Sequence, residues 1–336
     1  MTHSPSARRL LLPLVPLYRL ALVLRELRLG SIFEPVDRLR FPVISIGSLS
    51  AGGSGKTPTT VALAQALARR GLHVDVLSRG YGRKSQTARR VERSGTAEEF
   101  GDEPLLIARE TGVPVYVAAQ RYEAGRMAEA ASPNARGIFV HLLDDGFQHR
   151  QLYRDVDILL LDDGDWRDHL LPAGNMREPL IAMRRASVLA ISADDPDLGA
   201  KLMDAGRRVP IWRLHRRMEV PSIDGPVVAF CGIARPEQFF AGLEAAGLHL
   251  ASRIAFADHH VYKVHDLDCI QDAARSIGAA ALVTTEKDRT RLGALVKAFQ
   301  GAPPLKTAIL RIEIEDEDAA VSWIMNRLAS LPSRNP

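Results

Sequence analysis

Three glycines, a lysine and a threonine near the start of the chain have the types and spacing needed to bind a chain of phosphates. The segment SIGSLSAGGSGKTP begins as an apolar run, passes through a glycine cluster and ends where a helical pattern begins. Glycines let backbone N–H groups turn towards phosphate oxygens, lysine adds a positive charge, and the threonine hydroxyl is a ligand for Mg²⁺. We therefore predict a triphosphate site for ATP formed by Ser50, Ala51, Gly52, Gly53, Ser54, Gly55, Lys56 and Thr57.

This loop departs from the strict pattern G-x-x-x-x-G-K-[ST], because Ser50 stands at the first glycine. A glycine-rich turn that only connects two elements is the alternative interpretation. The apolar strand before the loop and the helical pattern from Val61 to Arg70 favour phosphate binding, since nucleotide-binding loops join a strand to a helix.

A metal-binding carboxylate is expected at the end of another buried strand. The run GIFVHLLDD ends in Asp144 and Asp145, and enzymes with this type of loop use such an aspartate to hold Mg²⁺. The run VDILLLDD ends in Asp162 and Asp163 in the same way. We favour Asp144 or Asp145, together with Thr57, because a glycine, an amide and a histidine follow them directly.

Two further polar segments are ambiguous when each is considered alone. Asp102 and Glu103 begin a predicted helix, where acidic residues are ordinary capping residues. His259 and His260 follow Asp258 in a turn that suits a metal site, an acid–base pair or a solvent-facing loop equally.

Two loops and one amide contain further candidate residues. Arg79 lies in a basic, glycine-containing loop after a strand, which in a parallel sheet emerges beside the phosphate site. Arg177 and Glu178 lie in the loop LLPAGNMREP, where an exposed ion pair of this kind contributes under about 1 kcal/mol. Gln148 belongs to the segment that follows Asp144 and Asp145.

The order of predicted elements indicates an α/β fold with two domains. Strands and helices alternate from the first strand onwards, which is typical of a doubly wound parallel sheet with a P-loop NTPase-like arrangement. A basic stretch at 213–217 and a turn-rich stretch at 221–226 interrupt the alternation. We predict an N-terminal helix in residues 1–29, a P-loop domain in 30–215 and a smaller α/β domain in 216–336.

The net charge of +4 is located at the N-terminus. Residues 1–40 contain seven arginines and three acidic residues, one of them Glu34, and the rest of the chain is balanced.

From Leu17 onwards a helical pattern places leucines on one face, with Arg19 and Glu26 opposite, which is typical of an interfacial helix. A helix packed against its own domain is the alternative. The apolar run, broken by two prolines and an arginine, is too short to cross a membrane. Two cysteines favour a reducing compartment.

Eight segments in this order resemble the tetraacyldisaccharide 4'-kinase family of Gram-negative bacteria. They are SIGSLSAGGSGKTP, LSRGYGR, GDEP, HLLDDGFQHR, LLPAGNMREP, GIARPEQF, FADHHVY and TTEKD. The resemblance implies two α/β domains and an N-terminal membrane helix. It also implies ATP- and Mg²⁺-dependent phosphorylation of the 4'-hydroxyl of a lipid A precursor, an acylated disaccharide, at the cytoplasmic face of the inner membrane. Ser48 replaces an asparagine of the family pattern, and Met176 a leucine.

The resemblance also assigns roles to the ambiguous residues. It implies that Asp102 is the catalytic base and that His259 orients it, with His260 as the next candidate. The residues that it places around the substrate or phosphates are Arg79, Glu103, Gln148, Arg177 and Glu178. It implies neither nucleic acid nor an obligate protein partner.

Two other functions compete with this one. A membrane-associated P-loop ATPase that acts as a switch needs a residue that positions water, and no hydroxyl acceptor. A soluble small-metabolite kinase needs no contact with lipid through residues 1–28.

Overall fold

The computed structural model describes residues 8–31, 35–132, 137–204, 209–299 and 303–332. Glu34, one of the three acidic residues in the charge pattern at the N-terminus, lies outside these ranges. Within them, strands and helices alternate along most of the chain, as predicted.

Across the described ranges, twelve strands form one sheet. Their spatial order is β10-β9-β11-β12-β8-β7-β6-β1-β5-β2-β4-β3. The strands are β1 (Val43–Ser48), β2 (His73–Ser78), β3 (Arg89–Arg90), β4 (Val115–Val117), β5 (Phe139–Asp144), β6 (Val156–Leu161), β7 (Val188–Ser192), β8 (Ile211–Glu219), β9 (Pro226–Cys231), β10 (His249–Ala255), β11 (Ala281–Thr285) and β12 (Leu305–Ile314).

Within the described residues the chain forms eleven α-helices. They are α1 (Val15–Arg28), α2 (Lys56–Arg69), α3 (Ala97–Phe100), α4 (Asp102–Thr111), α5 (Arg121–Ala130), α6 (Asp163–Arg167), α7 (Pro196–Asp204), α8 (Pro236–Ala245), α9 (Val264–Ser276), α10 (Glu286–Leu292) and α11 (Glu317–Ala329). Short 3₁₀ helices occupy Leu12–Leu14, Leu180–Arg185 and Gly293–Phe299.

The first half of the molecule comprises the residues before β8, and the second half begins with β8. Strand β1 lies inside the sheet of the first half and is buried along its whole length. It pairs in parallel with β5 on one side and β6 on the other, and Ile46 is opposite Asp144. Apolar side chains of β1 and α2, among them Ile44 and Leu67, pack in the main core. Because the strands are parallel, the loop after β1 and the aspartates after β5 lie at the same edge.

Strand β8 corrects the expectation that the basic stretch at 213–217 interrupts the alternation of strands and helices. It pairs in parallel with β7 and antiparallel with β12, so it joins the two halves of the sheet. Trp212 and Leu214 are buried while the cations that follow are exposed, and this exposed basic run hid the strand pattern. The proposed boundary at 215/216 falls inside β8, and the division into two domains stays a prediction.

The last helix, α11, packs against the first half of the molecule. Ile324 and Val321 belong to the same core as Ile44. The indole rings of Trp323 and Trp212 meet edge to face with centroids 6.3 Å apart. The end of the chain therefore returns to the sheet face that α2 covers.

Helix α1 lies on the surface and presents an apolar face to its surroundings. The side chains of Leu17 and Leu27 are 66% and 73% exposed. On the other side the Tyr18 hydroxyl donates a hydrogen bond of 2.9 Å to the Arg177 carbonyl, and Glu26 pairs with Arg150. The predicted leucine face is therefore exposed, contrary to the alternative that it packs on its own domain. None of the described helices combines the length and hydropathy of a membrane span.

Candidate active site

A cavity of about 970 Å³ opens at the edge of the sheet where β1 and β5 end. The first half contributes the glycine loop, the loops after β2 and β5, and the starts of α4 and α5. The second half contributes β8, the segment before α8, the turn around His259 and the start of α10. The cavity is therefore built from both halves of the molecule.

The glycine loop has the backbone geometry that the sequence predicted. Gly52, Gly53 and Gly55 have φ angles of 73°, 63° and 85°, a region where side chains are disfavoured. Ala51 and Ser54 line the cavity with these glycines, and α2 starts directly after the loop. This is a loop at a helix N-terminus, which is suited to an anion.

Lys56 is held at the base of the cavity. Its Nζ lies 3.3 Å from the hydroxyls of Ser48 and Ser54 and 3.8 Å from Asp145 Oδ1. Burial lowers the pKa of Lys56, and the charge of Asp145 acts in the opposite direction. The Ser48 hydroxyl also donates a hydrogen bond to the Ser50 carbonyl, so the serine that replaces the family asparagine both donates and accepts a hydrogen bond. The Ser50 side chain is buried and does not line the cavity.

Asp144 and Asp145 both face the cavity, but their surroundings differ. Asp145, with a φ angle of 48°, forms two hydrogen bonds to Arg177 of 2.9 and 3.0 Å. Burial opposes its charge, but Lys56 and Arg177 outweigh burial and lower the pKa of Asp145. Asp144 accepts a hydrogen bond of 3.0 Å from Thr60, and burial, then Glu103 and Asp145, raise its pKa to about 7. A cation is therefore the partner that would favour the charged form of Asp144.

The rival pair after β6 lies elsewhere. Asp162 accepts a hydrogen bond of 2.9 Å from the Gly164 amide at the start of α6 and pairs with Arg235 at 2.9 Å. Asp163 pairs with Lys201 at 2.7 Å. Neither aspartate lines the cavity.

Asp102 and His259 come from different halves and meet beside the cavity. His259 Nδ1 lies 3.4 Å from Asp102 Oδ2, whereas His260 pairs with Asp266 at 3.0 Å. His259 has a φ angle of 57°, and its ring packs against Tyr81 with centroids 4.9 Å apart. The hydrogen bond with Asp102 raises the pKa of His259 against the effect of burial.

Arg291 is a third member of this cluster that sequence reasoning missed. Its Nε donates to Asp102 Oδ2 at 2.7 Å, and its Nη2 lies 2.5 Å from the same oxygen and 3.3 Å from His259 Nδ1. Burial opposes the charged form of Asp102, but His259, Arg291 and Lys287 together hold its pKa well below the usual range. Arg291 lies five residues after the TTEKD glutamate, on α10, and that helix position was the available signal.

Two more cations near the cavity were missed. Lys287 of α10 donates a hydrogen bond of 2.6 Å to Glu103 and so connects the two halves. Arg121, at the start of α5, lines the cavity although it is buried, and burial lowers its pKa to about 10 despite Asp145 nearby. Both residues follow strand ends at the same sheet edge, and Lys287 also belongs to the segment TTEKD.

Of the remaining candidate residues, three line the cavity and one lies outside it. Arg79 is exposed and lines the cavity. Gln148 also lines the cavity and donates a hydrogen bond of 2.9 Å to the Ser48 carbonyl. Arg177 lines it and holds Asp145. Glu178 is buried outside the cavity, where it pairs with Arg185 at 2.7 Å and with Arg25 of α1 at 3.4 Å. Glu178 therefore connects α1 to the loop that carries Arg177.

Comparison with known proteins decides the family. The sequence model described as tetraacyldisaccharide-1-P 4'-kinase matches residues 7–329, nearly the whole chain. The chain belongs to the tetraacyldisaccharide 4'-kinase family. A tetraacyldisaccharide 4'-kinase of Koribacter versatilis is 42% identical over 301 residues, which are 86% of this chain and 89% of that protein. The corresponding protein of Gluconacetobacter diazotrophicus is 38% identical over 321 residues, 94% of this chain and 89% of its own.

A solved kinase of the same family has the same fold. The crystal structure of LpxK from Aquifex aeolicus in complex with ATP superposes with a TM-score of 0.73 at 31% identity. The match covers 96% of this chain and 99% of that one. Membership in the tetraacyldisaccharide 4'-kinase family makes this chain a kinase with a hydroxyl acceptor in lipid A biosynthesis, as the resemblance implied.

Proposed function

We propose that this kinase uses ATP to phosphorylate the 4'-hydroxyl of a tetraacyldisaccharide 1-phosphate at the cytoplasmic face of the inner membrane. One observation carries the proposal: the glycine loop and His259, which contacts Asp102, line one cavity although they belong to opposite halves of the molecule. A phosphate donor and a hydroxyl acceptor can therefore meet there. The ATP complex of the Aquifex aeolicus kinase supports the choice of donor.

The residues divide the reaction between them. Backbone N–H groups of Gly52–Thr57 and the Lys56 ammonium hold the phosphates. The sugar oxygen forms a bond to the outer phosphorus while the bond from that phosphorus to the leaving oxygen of ADP breaks. Asp102 accepts the proton of the sugar hydroxyl, and His259 keeps the carboxylate aimed at the cavity. Arg79, Arg121 and Gln148 line the cavity, which supports a role for them in binding the substrate or the phosphates.

Thr57, Asp144 and Asp145 fit a magnesium ion. A hydroxyl and two carboxylates at one edge of the cavity are hard oxygen donors, the kind that Mg²⁺ prefers. Among the described residues, no group of three or more His, Cys, Asp or Glu side chains is arranged around a metal. Phosphate and water oxygens would complete the coordination, as is usual for Mg²⁺ bound with a nucleotide. The ion supplies neutralisation of phosphate charge when bound.

Helix α1 brings the cavity to the membrane in this proposal. Its exposed leucines face outwards, while Arg25 lines the cavity and pairs with Glu178. An acylated sugar has its hydroxyls at the level of the lipid headgroups, where an interfacial helix lies. The helix therefore places the acceptor side of the cavity where the substrate is.

The test is phosphate transfer. The purified full-length protein is incubated with ATP, Mg²⁺ and a tetraacyldisaccharide 1-phosphate in mixed micelles, and the lipid product is analysed by mass spectrometry. We expect a second phosphate at the 4' position. ATP hydrolysis that lipid leaves unchanged, without transfer, would favour the nucleotide switch. Phosphorylation of a water-soluble acceptor, unaffected by deletion of residues 1–28, would favour a small-metabolite kinase.

A further inference from the structure

A segment from the second half covers the glycine loop. A Cβ atom on Gly52 would lie 2.6 Å from Ala234 Cβ, and one on Gly53 would lie 2.6 Å from Arg235 Cδ. Neither loop position has room for a side chain. The absence of side chains at these two glycines therefore leaves room for the segment before α8 as well as for phosphates.

Arg235 lines the cavity but pairs with a carboxylate outside it. Its Nη1 lies 2.9 Å from Asp162 Oδ2, and the two side chains are 27% and 32% exposed. The Gly164 amide fixes the other oxygen of Asp162 at 2.9 Å. The carboxylate is thus immobilised at the start of α6, whereas the long arginine side chain has one ionic partner among the described residues.

A second arginine approaches the loop from β8. Arg216 Nη2 donates a hydrogen bond of 3.2 Å to the Ser54 carbonyl and lies near Gly55. Together with Lys56, Arg216 and Arg235 put three cations around a loop whose motif contains only one. Such an excess of positive charge suits a polyphosphate, and the planar guanidinium matches phosphate oxygens in a bidentate geometry.

We propose that Arg235 is a nucleotide-binding residue that Asp162 holds when no nucleotide is bound. On binding, the guanidinium exchanges the Asp162 carboxylate for phosphate oxygens of the nucleotide. The exchange replaces one charge-assisted contact by another, so the second half contributes a phosphate ligand without leaving a cation unpaired. This inference rests on the proposed use of ATP.

The first test measures ATP binding without lipid. The dissociation constant of Mg–ATP is determined by calorimetry for the full-length protein and for Arg235→Ala, Arg235→Lys and Arg253→Ala. We expect about a tenfold weaker affinity for Arg235→Ala, because one hydrogen bond between charged groups is lost, and a smaller loss for Arg235→Lys. Arg253 pairs with Glu244 on the surface of the same half, so its removal should leave the affinity unchanged.

The second test distinguishes the exchange from a fixed clamp. If Asp162 competes with the nucleotide for Arg235, Asp162→Asn tightens Mg–ATP binding, and the gain shrinks when Arg235→Ala is already present. If the ion pair only clamps the two halves, Asp162→Asn weakens binding as Arg235→Ala does, and the proposal is overturned.

The outcomes separate this inference from the proposed function. Unchanged affinity in a folded Arg235→Ala protein would overturn the role of Arg235 alone. A wild-type protein that binds no Mg–ATP would overturn both. The lipid acceptor takes no part in either measurement, so an error in the substrate would leave the result for Arg235 intact.

Discussion

At the residue scale, Asp102 has more partners than its proposed role requires. A general base needs an accessible carboxylate within hydrogen-bond reach of the substrate. In this structure Asp102 is buried and is held by Arg291 and His259. Burial opposes the charged form of Asp102, but the hydrogen bond with His259 and the charges of Arg291 and Lys287 outweigh burial and hold its pKa below the usual range. The base is therefore ionised without prior proton loss, although its affinity for the substrate proton is small.

Replacing Asp102 by asparagine should stop phosphate transfer and spare nucleotide binding. We expect turnover to fall by roughly 10²- to 10⁴-fold, since the proton acceptor is lost. The affinity for Mg–ATP should stay within about twofold of wild type. Steady-state kinetics and calorimetry measure the two quantities. The control is Asp268→Asn, because Asp268 is exposed on α9. If Asp102→Asn turned over as fast as this control, Asp102 would have no role in the mechanism.

Replacing Arg291 by glutamine should shift the pH dependence of the reaction. Burial favours the neutral form of Asp102, so removing the positive charge of Arg291 raises the pKa of Asp102. An ionised Asp102 is required, so the acidic limb of the profile of kcat/KM against pH should move to higher pH. The neighbouring Arg289 is exposed, and Arg289→Gln should keep the wild-type profile. Identical profiles for the two variants would show that Arg291 does not set the charge of Asp102.

At the element scale, α1 differs from the other described α-helices, each of which has at least one buried residue. None of its residues is buried, and its contacts run through Tyr18, Arg25 and Glu26 on one side. Its leucine face is left exposed. An apolar face of this kind is energetically unfavourable in water and favourable at a lipid interface.

Substitution of two leucines on that face should weaken membrane contact. We expect Leu20→Ser with Leu24→Ser to reduce binding to anionic vesicles by about tenfold or more, since each leucine contributes roughly 1.5–3 kcal/mol when fully buried. Sedimentation with vesicles measures the binding. The control pair, Ile138→Ser with Ile277→Ser, removes two exposed apolar side chains far along the chain. Equal binding by both double variants would contradict the membrane role of α1.

At the scale of the whole molecule, one buried histidine joins the sheet to α5. His141 on β5 lies 2.6 Å from Asp75 Oδ1 and 3.6 Å from Glu129 Oε1. Glu129 also accepts hydrogen bonds from the backbone amides of Arg40 and Phe41. Burial opposes the charge of His141, but the two carboxylates outweigh it and raise its pKa to about 9.

The stability of the protein should therefore fall at alkaline pH. The pKa of His141 is higher in the folded than in the unfolded protein, so its contribution is fully present below about 6.5 and is lost as the pH rises through about 9. We expect Tm to decrease between pH 7 and 9.5, and His141→Gln to flatten this decrease. His73 is exposed at the same end of the sheet, and His73→Gln should retain the wild-type slope. A slope that His141→Gln leaves unaltered would contradict the proposed charge.

Features that depend on short-range patterns of residues could be predicted from the sequence. Residues 52–57 predicted a phosphate loop between a strand and a helix, and the structure has that arrangement, because a strand, a glycine turn and a helix start are encoded within a few neighbouring residues. The α/β alternation and the family followed from motifs of the same kind. Local sequence did not decide which histidine contacts Asp102, and it did not predict the strand that contains residues 213–217.

Contacts between distant segments could not be predicted in this way and are seen only in the folded chain. Arg291 reaches Asp102 across 189 positions, and Arg235 reaches Asp162 across 73, because the two halves dock on opposite sides of one cavity. Strand β8 forms because β7 and β12 supply hydrogen-bond partners on both sides, and its exposed cations conceal it in the sequence. Pairing of this kind depends on how the elements pack, which no local pattern of residue types encodes.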